Sequence, residues 1–183
     1  DKVFELTKKL SGRVDTPLVY MTYLNVLFKY GYDKFLQNAK DAGISGVIVP
    51  DLPYEEKDEL QSVAEKYDID VISLIAPTSE DRIKMIASDA KGFIYTVSSM
   101  GVTGMRNEIK TDLQSIVSHI KSVTDVPVAI GFGINKPQQA KEFSAYADGV
   151  IVGSAIVNIV AEHGKDAPEY VFDYVKSMKD AIR

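Results

Sequence analysis

The chain has 183 residues, 45% of them hydrophobic and 26% charged, so we expect one ordinary globular domain over residues 1–183. Its formal net charge of −5 argues against a nucleic-acid surface, and no apolar run approaches the ~20 residues of a membrane-spanning helix. Cysteine is absent, which excludes disulfides, thiolate metal ligands and cysteine nucleophiles from these residues and is typical of a cytoplasmic protein.

The first predicted element is a helix over DKVFELTKKL, in which Val3, Phe4, Leu6 and Leu10 form an apolar face at helical spacing. Six short segments follow that are hydrophobic almost throughout, a pattern typical of strands buried on both faces of a sheet. They begin at residues 17, 46, 70, 92, 127 and 149 and read PLVYMTY, GVIVPD, DVISLIAP, GFIYTVS, PVAIGFG and GVIVGSA.

Amphipathic helix patterns lie between these strands, and several carry the signals of helix ends. Asp33 is a predicted N-cap, and Gly43 stands just past the end of the same helix. Thr111 and Gln114 form a capping-box pattern, and Pro137 lies in a first turn, where its missing N–H costs least. The predicted helices are DKFLQNAKDAG, EEKDELQSVAEKY, TSEDRIKMIASDA, TDLQSIVSHIKSV, NKPQQAKEFSAY and PEYVFDYVKSMKDAI.

This order of elements predicts an α/β fold with a parallel sheet and right-handed crossovers. An open doubly wound sheet would carry a glycine-rich turn after its first strand, which PLVYMTYLNV does not have. Glycines concentrate instead after the last three strands, where (β/α)8 barrels bind phosphate. We therefore expect a (β/α)8 TIM barrel of which this chain supplies strands 3–8, their helices and the helix before strand 3, with two N-terminal βα units missing.

The glycines at these strand ends are candidates for a phosphate site. Backbone N–H groups at the start of a helix bind phosphate without Lys or Arg. Gly133 and Gly153 permit close backbone approach, Ser154 adds a hydroxyl, and SAIVNIVAEHG supplies a short extra helix. Each glycine alone is more simply a turn residue, but their recurrence at three consecutive strand ends favours the phosphate site.

Two further side chains lie at or near strand ends. Asp51 follows GVIVP at a position that is catalytic in barrels, although a turn aspartate or a ligand-facing residue without a proton-transfer role fits the sequence as well. Tyr95 is either a hydrogen-bond partner of a substrate or a core residue. His119 and His163 lie away from strand ends, so we expect no metal ligation or acid–base role from them and no metal site.

The segment SSMGVTGMRNE is long for a connection between a strand and a helix. Its small residues and hinge-capable glycines favour a lid that excludes water, over a disordered insertion. The surplus length falls on residues 98–110, beside the predicted phosphate site.

Together, SSMGVTG, GFGI, VIVGSAIV, TYLN and VPDLP resemble the tryptophan synthase alpha subunit family, and the resemblance runs through all 183 residues. That family is a (β/α)8 barrel that cleaves indole-3-glycerol phosphate by a retro-aldol reaction to indole and glyceraldehyde 3-phosphate. The resemblance implies no cofactor in this subunit, a partner beta subunit that uses pyridoxal phosphate, and an alpha-beta-beta-alpha tetramer.

The resemblance also implies roles for individual residues. The implied phosphate cradle is Gly104, Gly133, Gly153 and Ser154. The other implied substrate-side positions are Tyr95 beside the catalytic carboxylates, Thr103 in the lid, and Met21, Ile48 and Phe132 around an apolar pocket. Asn25 and Pro53 match positions that touch the beta subunit.

The family's catalytic pair is a glutamate that protonates the indole ring and an aspartate that stabilises charge at the indole nitrogen. The resemblance puts both before residue 1, so we expect no main catalytic residue in this sequence and no activity from the chain alone. Two other hypotheses remain, a different phosphate-binding barrel enzyme and a non-catalytic module that docks the beta subunit.

Overall fold

A computed structural model of the chain describes residues 2–97, 113–131 and 133–182. The chain divides into two compact units. Unit 1 comprises residues 1–74 and 90–92, and unit 2 comprises residues 75–89 and 93–183. The expectation of a single domain stays a prediction.

Unit 1 is built on a parallel sheet in which β2 pairs with both β1 and β3. Met21 lies opposite Ile48 in the first pair, and Val47 lies opposite Val71 in the second. The elements in chain order are α1 (Lys2–Ser11), β1 (Leu18–Met21), α2 (Leu24–Tyr30), α3 (Tyr32–Asp41), β2 (Ile44–Ile48), a 3-10 turn (Tyr54–Glu56), α4 (Lys57–Ala64), a second 3-10 turn (Glu65–Tyr67) and β3 (Asp70–Ile75).

The core of unit 1 joins aliphatic side chains of the sheet and helices to a group of four aromatic rings. Leu27, Leu36 and Val47 are fully buried. The aromatic cluster, which we define as Phe4, Tyr20, Tyr30 and Phe35, has ring centroids 5.4–6.1 Å apart, mostly in edge-to-face geometry. Such pairs add stability beyond the area that they bury, so this cluster fixes α1 and α3 against β1.

Unit 2 is also built on a parallel sheet, with β5 between β4 and β6. Its core contains the fully buried Ile94, Ile120, Val128 and Ile130. The elements in chain order are α5 (Glu80–Ser88), β4 (Ile94–Val97), α6 (Leu113–Lys121), β5 (Val128–Gly131), α7 (Pro137–Phe143), β6 (Gly149–Val150), α8 (Ser154–His163), a 3-10 turn (Gly164–Asp166) and α9 (Ala167–Ala181).

The predicted alternation of parallel strands and helices is confirmed in each unit. Gly43 lies past the end of α3 at φ +82°, and Pro137 opens α7, both as predicted. The predicted N-cap at Asp33 is wrong, because α3 begins at Tyr32 after Gly31 and Asp33 falls in its first turn. The predicted capping box at Thr111 lies outside the described residues.

Two elements differ from the sequence-based expectation, one because it was not predicted and one because it is shorter than predicted. The helix α2, seven residues long, is absent from the predicted helices. The strand β6 has only two residues, although the apolar run from residue 149 is much longer. None of the described helices combines the length and apolarity needed to cross a membrane.

Candidate functional site

In unit 1, the predicted pocket residues Met21 and Ile48 lie side by side at the carboxyl ends of β1 and β2. They are opposite each other in the strand register, and the Thr22 N–H donates to the Ile48 carbonyl at 3.1 Å. Their exposure differs sharply, since Ile48 is 6% exposed and Met21 is 61% exposed. Met21 therefore offers a large apolar surface beside the strand end, whereas Ile48 offers only a small one.

Asp51 connects the ends of the same two strands. Its Oδ1 accepts a hydrogen bond from the backbone N–H of Leu24 at 2.8 Å. Leu24 is the first residue of α2, and the residue before it, Tyr23, provides no side-chain cap. A carboxylate at a helix start satisfies a free N–H group and complements the helix dipole. Asp51 thus caps α2, whose first residue lies 27 positions earlier in the chain, instead of capping the backbone of its own turn.

The two residues predicted to touch a partner lie at this same end of unit 1. Asn25 is the second residue of α2, and Pro53 precedes the 3-10 turn that begins at Tyr54. Both are exposed. Two large aromatic residues lie near Asn25 in the chain and are also exposed: Tyr23 is 64% exposed and Phe28 is 72% exposed. Exposed aromatic groups of this size are enriched at protein interfaces.

In unit 2, Tyr95 lies on β4 and packs directly against the end of β5. A Cβ atom placed at Gly131 would lie 2.6 Å from the Tyr95 Cζ atom and closer still to its hydroxyl oxygen, so any larger residue there would require the ring or the strand to shift. Burial raises the pKa of Tyr95 above its ordinary value of 10.0, so the hydroxyl stays protonated at neutral pH. Tyr95 is therefore a fixed, largely buried hydrogen-bond donor.

Gly133 and Gly153, the two described glycines of the predicted phosphate cradle, differ from Gly131 in their surroundings. No described heavy atom lies within 4 Å of a Cβ placed at Gly133 or at Gly153. Gly133 has φ +76°, a conformation that favours glycine. Gly153 immediately precedes α8, and Ser154 is the first residue of that helix. The first N–H groups of a helix have no intrahelical acceptor, so this end of α8 is suited to an anion.

Three predicted site residues lie outside the described part of the chain, namely Thr103, Gly104 and Phe132. The predicted lid over residues 98–110 lies outside it as well. The roles assigned to these residues stay predictions.

Both histidines lie in helix contacts. His119 Nε2 on α6 is 3.5 Å from a carboxylate oxygen of Glu80 on α5, and His163 stacks on the Tyr170 ring at 3.7 Å. Over the described ranges, no three His, Asp or Glu side chains are close enough to hold a metal ion.

A polar cavity of about 260 Å³ opens at the other end of the unit 1 sheet, around the first residue of β3. An ion pair of 2.9 Å between Lys91 and Glu65 lies in its wall. Parallel α/β folds bind ligands at the carboxyl ends of their strands, so we assign this cavity no part in the candidate site.

Comparison with known proteins decides the family. A family model described as "Tryptophan synthase alpha chain" matches residues 1–183. The chain belongs to the tryptophan synthase alpha chain family. A tryptophan synthase alpha chain from Lacticaseibacillus casei is 49% identical over 180 residues, which cover 98% of this chain and 68% of that relative.

Solved structures of the family have the same fold. Tryptophan synthase subunit alpha from Campylobacter jejuni matches with a TM-score of 0.84 at 38% identity, covering 97% of this chain and 70% of that one. A chain from a study of the tryptophan synthase α2β2 complex of Pyrococcus furiosus matches with a TM-score of 0.85 at 34% identity, covering 98% and 73%. The family resemblance is thereby confirmed. These percentages do not say which part of each relative this chain leaves unmatched. The expectation of two missing N-terminal units therefore stays a prediction.

Sequence inspection missed one contact of the candidate site. The Tyr174 hydroxyl on α9 donates to the backbone carbonyl of Asn135, two residues after Gly133, at 3.0 Å. The two residues are 39 positions apart, and nothing in the local pattern around Tyr174 distinguishes it from Tyr170, the other tyrosine of that helix.

Proposed function

We propose that this chain is the indole-producing component of a tryptophan synthase. The reaction is the retro-aldol cleavage of indole-3-glycerol phosphate to indole and glyceraldehyde 3-phosphate, the work of a lyase in tryptophan biosynthesis. Family membership over all 183 residues supports this proposal. The structural observation that carries it is the open backbone at Gly133 and Gly153, at strand ends where barrels of this class bind phosphate.

In this proposal the phosphate group is held mainly by backbone N–H groups. Gly133 and the start of α8 at Gly153 and Ser154 donate to the phosphate oxygens, and the Ser154 hydroxyl adds another donor. Gly104, which the family resemblance adds to the cradle, is a further backbone donor in this proposal. Because these groups carry only partial charges, binding does not need a nearby Lys or Arg.

The remaining substrate contacts follow the family assignment. Tyr95 donates a hydrogen bond to the glycerol and indole region, for which its protonated hydroxyl is suited. Met21, Ile48 and Phe132 present apolar surface to the indole ring, and Thr103 acts from the lid.

We also propose that the main catalytic glutamate and aspartate are not among residues 1–183. A protein limited to these residues, strands 3–8 of the barrel in this proposal, then binds the phosphate moiety but does not cleave the substrate.

The proposed partner is the tryptophan synthase beta subunit, which holds the pyridoxal phosphate; the alpha component itself needs no cofactor. Asn25 and Pro53 touch that subunit in the proposed alpha-beta-beta-alpha assembly. The exposed Tyr23 and Phe28 on either side of Asn25 support a protein interface at this position.

Titration of the purified chain with glycerol 3-phosphate tests the phosphate site, with glycerol as the control ligand. We expect weak, roughly millimolar binding of the phosphate compound alone, and no release of indole from indole-3-glycerol phosphate. Binding of glycerol equal to that of glycerol 3-phosphate would contradict the proposed site. Indole release by the purified chain would contradict the proposed absence of catalytic residues.

Ser154→Asp sharpens this test. A carboxylate at the first position of α8 favours the helix dipole, so the free energy of unfolding should be unchanged or slightly raised. The same charge repels a phosphate, so binding of glycerol 3-phosphate should be lost. Ser118→Asp, on the exposed surface of α6, is the matched control and should leave binding intact.

The two alternative functions have distinct outcomes in the same experiments. Cleavage or isomerisation of another sugar phosphate, without action on indole-3-glycerol phosphate, would identify a different phosphate-binding barrel. Stable association with a beta subunit, without binding of glycerol 3-phosphate, would identify a docking module.

A further inference from the structure

The turn that connects β5 to α7, residues Gly133–Lys136, is held in place by side chains from two different helices. On one side, the Gln139 Oε1 of α7 accepts hydrogen bonds from the backbone N–H groups of Asn135 and Lys136, both at 3.0 Å. On the other side, the Tyr174 hydroxyl of α9 donates to the Asn135 carbonyl at 3.0 Å. Both backbone groups of Asn135 are therefore satisfied by side chains.

The rest of the turn has a fixed inner side and an open outer side. Ile134 is 4% exposed and anchors the turn in the core. Gly133, its neighbour, is exposed at φ +76° with no described atom in front of it. The hydrogen bonds from Gln139 and Tyr174 thus fix the Ile134–Asn135 and Asn135–Lys136 peptide groups, which begin one residue after Gly133.

The hydroxyl of Tyr174 is suited to this contact. Burial raises its pKa above the ordinary value, so it remains a donor at neutral pH. Met178, one helical turn further along α9, is 5% exposed, which fixes this face of α9 against the body of unit 2. A donor on a fixed helix holds a backbone carbonyl in one orientation better than water does. The donor is already ordered by folding, so holding the carbonyl costs little further conformational entropy.

We propose that Tyr174 is a positioning residue for phosphate binding, which holds the turn Gly133–Lys136 in the conformation that presents Gly133 to the anion. The proposal rests on the proposed phosphate site. It adds a residue of the last helix that does not touch the ligand and acts through the backbone of Asn135. Gln139 acts on the same turn from the opposite side.

Tyr174→Phe tests the proposal, because it removes the hydroxyl and keeps the ring. We expect binding of glycerol 3-phosphate to weaken roughly three- to tenfold, the range set by one hydrogen bond. Amide hydrogen exchange at residues 133–136 should become faster in the variant. Tyr170→Phe is the matched control, since it removes a hydroxyl one turn earlier on α9, and it should change neither quantity.

Gln139→Met provides a second, independent test that does not involve α9. It removes the acceptor of two N–H groups and keeps the length of the side chain, so binding should weaken at least as much as in Tyr174→Phe. The control is Gln138→Met, at the exposed neighbouring position, which should bind like the unaltered protein.

The outcomes separate this inference from the proposed function. If the unaltered protein does not bind glycerol 3-phosphate, the proposed phosphate site is wrong. If the unaltered protein binds but Tyr174→Phe binds equally well at a temperature where both are folded, the positioning role is wrong. A lower melting temperature with an unchanged dissociation constant would assign Tyr174 to stability alone and would likewise overturn the inference.

Discussion

The two units build the carboxyl ends of their strands in opposite ways. Unit 1 fills this region with side chains, because Asp51 caps α2 and the exposed Tyr23 and Phe28 lie within three residues of Asn25 in the chain. In unit 2 the backbone forms this region, since no described heavy atom lies within 4 Å of a Cβ placed at Gly133 or Gly153. In the proposed function, the same kind of edge of a parallel sheet serves two purposes. Side chains suit a protein partner, whereas bare N–H groups suit a small anion.

The difference extends to how the units are held together. Unit 1 depends on the aromatic cluster, in which the Phe35 ring meets Phe4, Tyr20 and Tyr30. In unit 2, the end of strand β5 packs against Tyr95 because Gly131 has no side chain to occupy that space. Stability in unit 1 should therefore be lost by removing volume, and in unit 2 by adding it.

Phe35→Ala tests the first half of this contrast. Phe35 is 7% exposed and contacts three rings, so its truncation should lower the free energy of unfolding by about 3–5 kcal/mol. Urea denaturation followed by circular dichroism measures this. Phe28→Ala is the control, because Phe28 is 72% exposed, and it should cost less than about 0.5 kcal/mol. Equal costs for the two variants would disprove a role of the cluster.

Gly131→Ala tests the second half. The added methyl group meets the buried Tyr95 ring at 2.6 Å or less, so the strand or the ring must shift, at a cost of about 1–3 kcal/mol. Gly149→Ala is the matched control, because its Cβ would lie 3.8 Å from that of Ala129, an ordinary contact. In a Tyr95→Leu background the Gly131→Ala change should cost less. An unchanged cost in that background would show that the ring is not the obstacle.

The sequence predicted the helices and strands of both units better than it predicted the tertiary contacts within each unit. Periodic patterns predicted most helices, continuous apolar runs predicted the strands, and the glycines after the late strands marked a candidate anion site. The seven-residue α2 is too short for its apolar spacing to stand out. The contacts of Asp51 with Leu24 and of Tyr174 with Asn135 join residues 27 and 39 positions apart. Such tertiary contacts depend on how elements pack, which no local pattern contains.

Gly131 is a second case in which the sequence alone does not determine a residue's structural role. Its place at a strand end was visible in the sequence, but three explanations fit such a glycine: a positive φ, close approach of a neighbour, or space for a ligand. Only the structure separates Gly131, which the Tyr95 ring approaches, from Gly133, which has a positive φ and no described atom within 4 Å of a Cβ placed there.

Asp51→Ala measures what a side chain contributes at the filled edge of unit 1. Loss of the hydrogen bond to the Leu24 N–H removes the cap of α2 and should cost about 1 kcal/mol. Asp51→Asn keeps an acceptor oxygen at the same position and should recover at least half of that loss. If Asn and Ala variants are equally destabilised, the bond to Leu24 is not what Asp51 contributes.

A smaller effect is expected from Asp148, which links β5, α6 and the start of β6 in unit 2. Burial opposes its charged form, but hydrogen bonds from the Val128 N–H at 2.8 Å and the Lys121 Nζ at 2.9 Å outweigh burial and lower the pKa of Asp148 below its ordinary value of 3.8. A lowered pKa in the folded state means that the stabilisation is complete above the ordinary pKa and is lost as the pH falls below it. The difference in the free energy of unfolding between the unaltered protein and Asp148→Asn should therefore shrink between about pH 6 and about pH 3.

Solvent screening limits the size of this effect, because the side chain of Asp148 is 45% exposed and that of Lys121 is 42% exposed. Lys121→Met separates the two hydrogen bonds, since it removes the cation and leaves the Val128 N–H in place. It should abolish only part of the pH dependence, because a backbone donor at a fixed strand end continues to favour the carboxylate. A pH dependence that is unchanged in both variants would assign the acid sensitivity of unit 2 to other carboxylates, such as Glu80, whose pKa is lowered mainly by its hydrogen bond with Lys84.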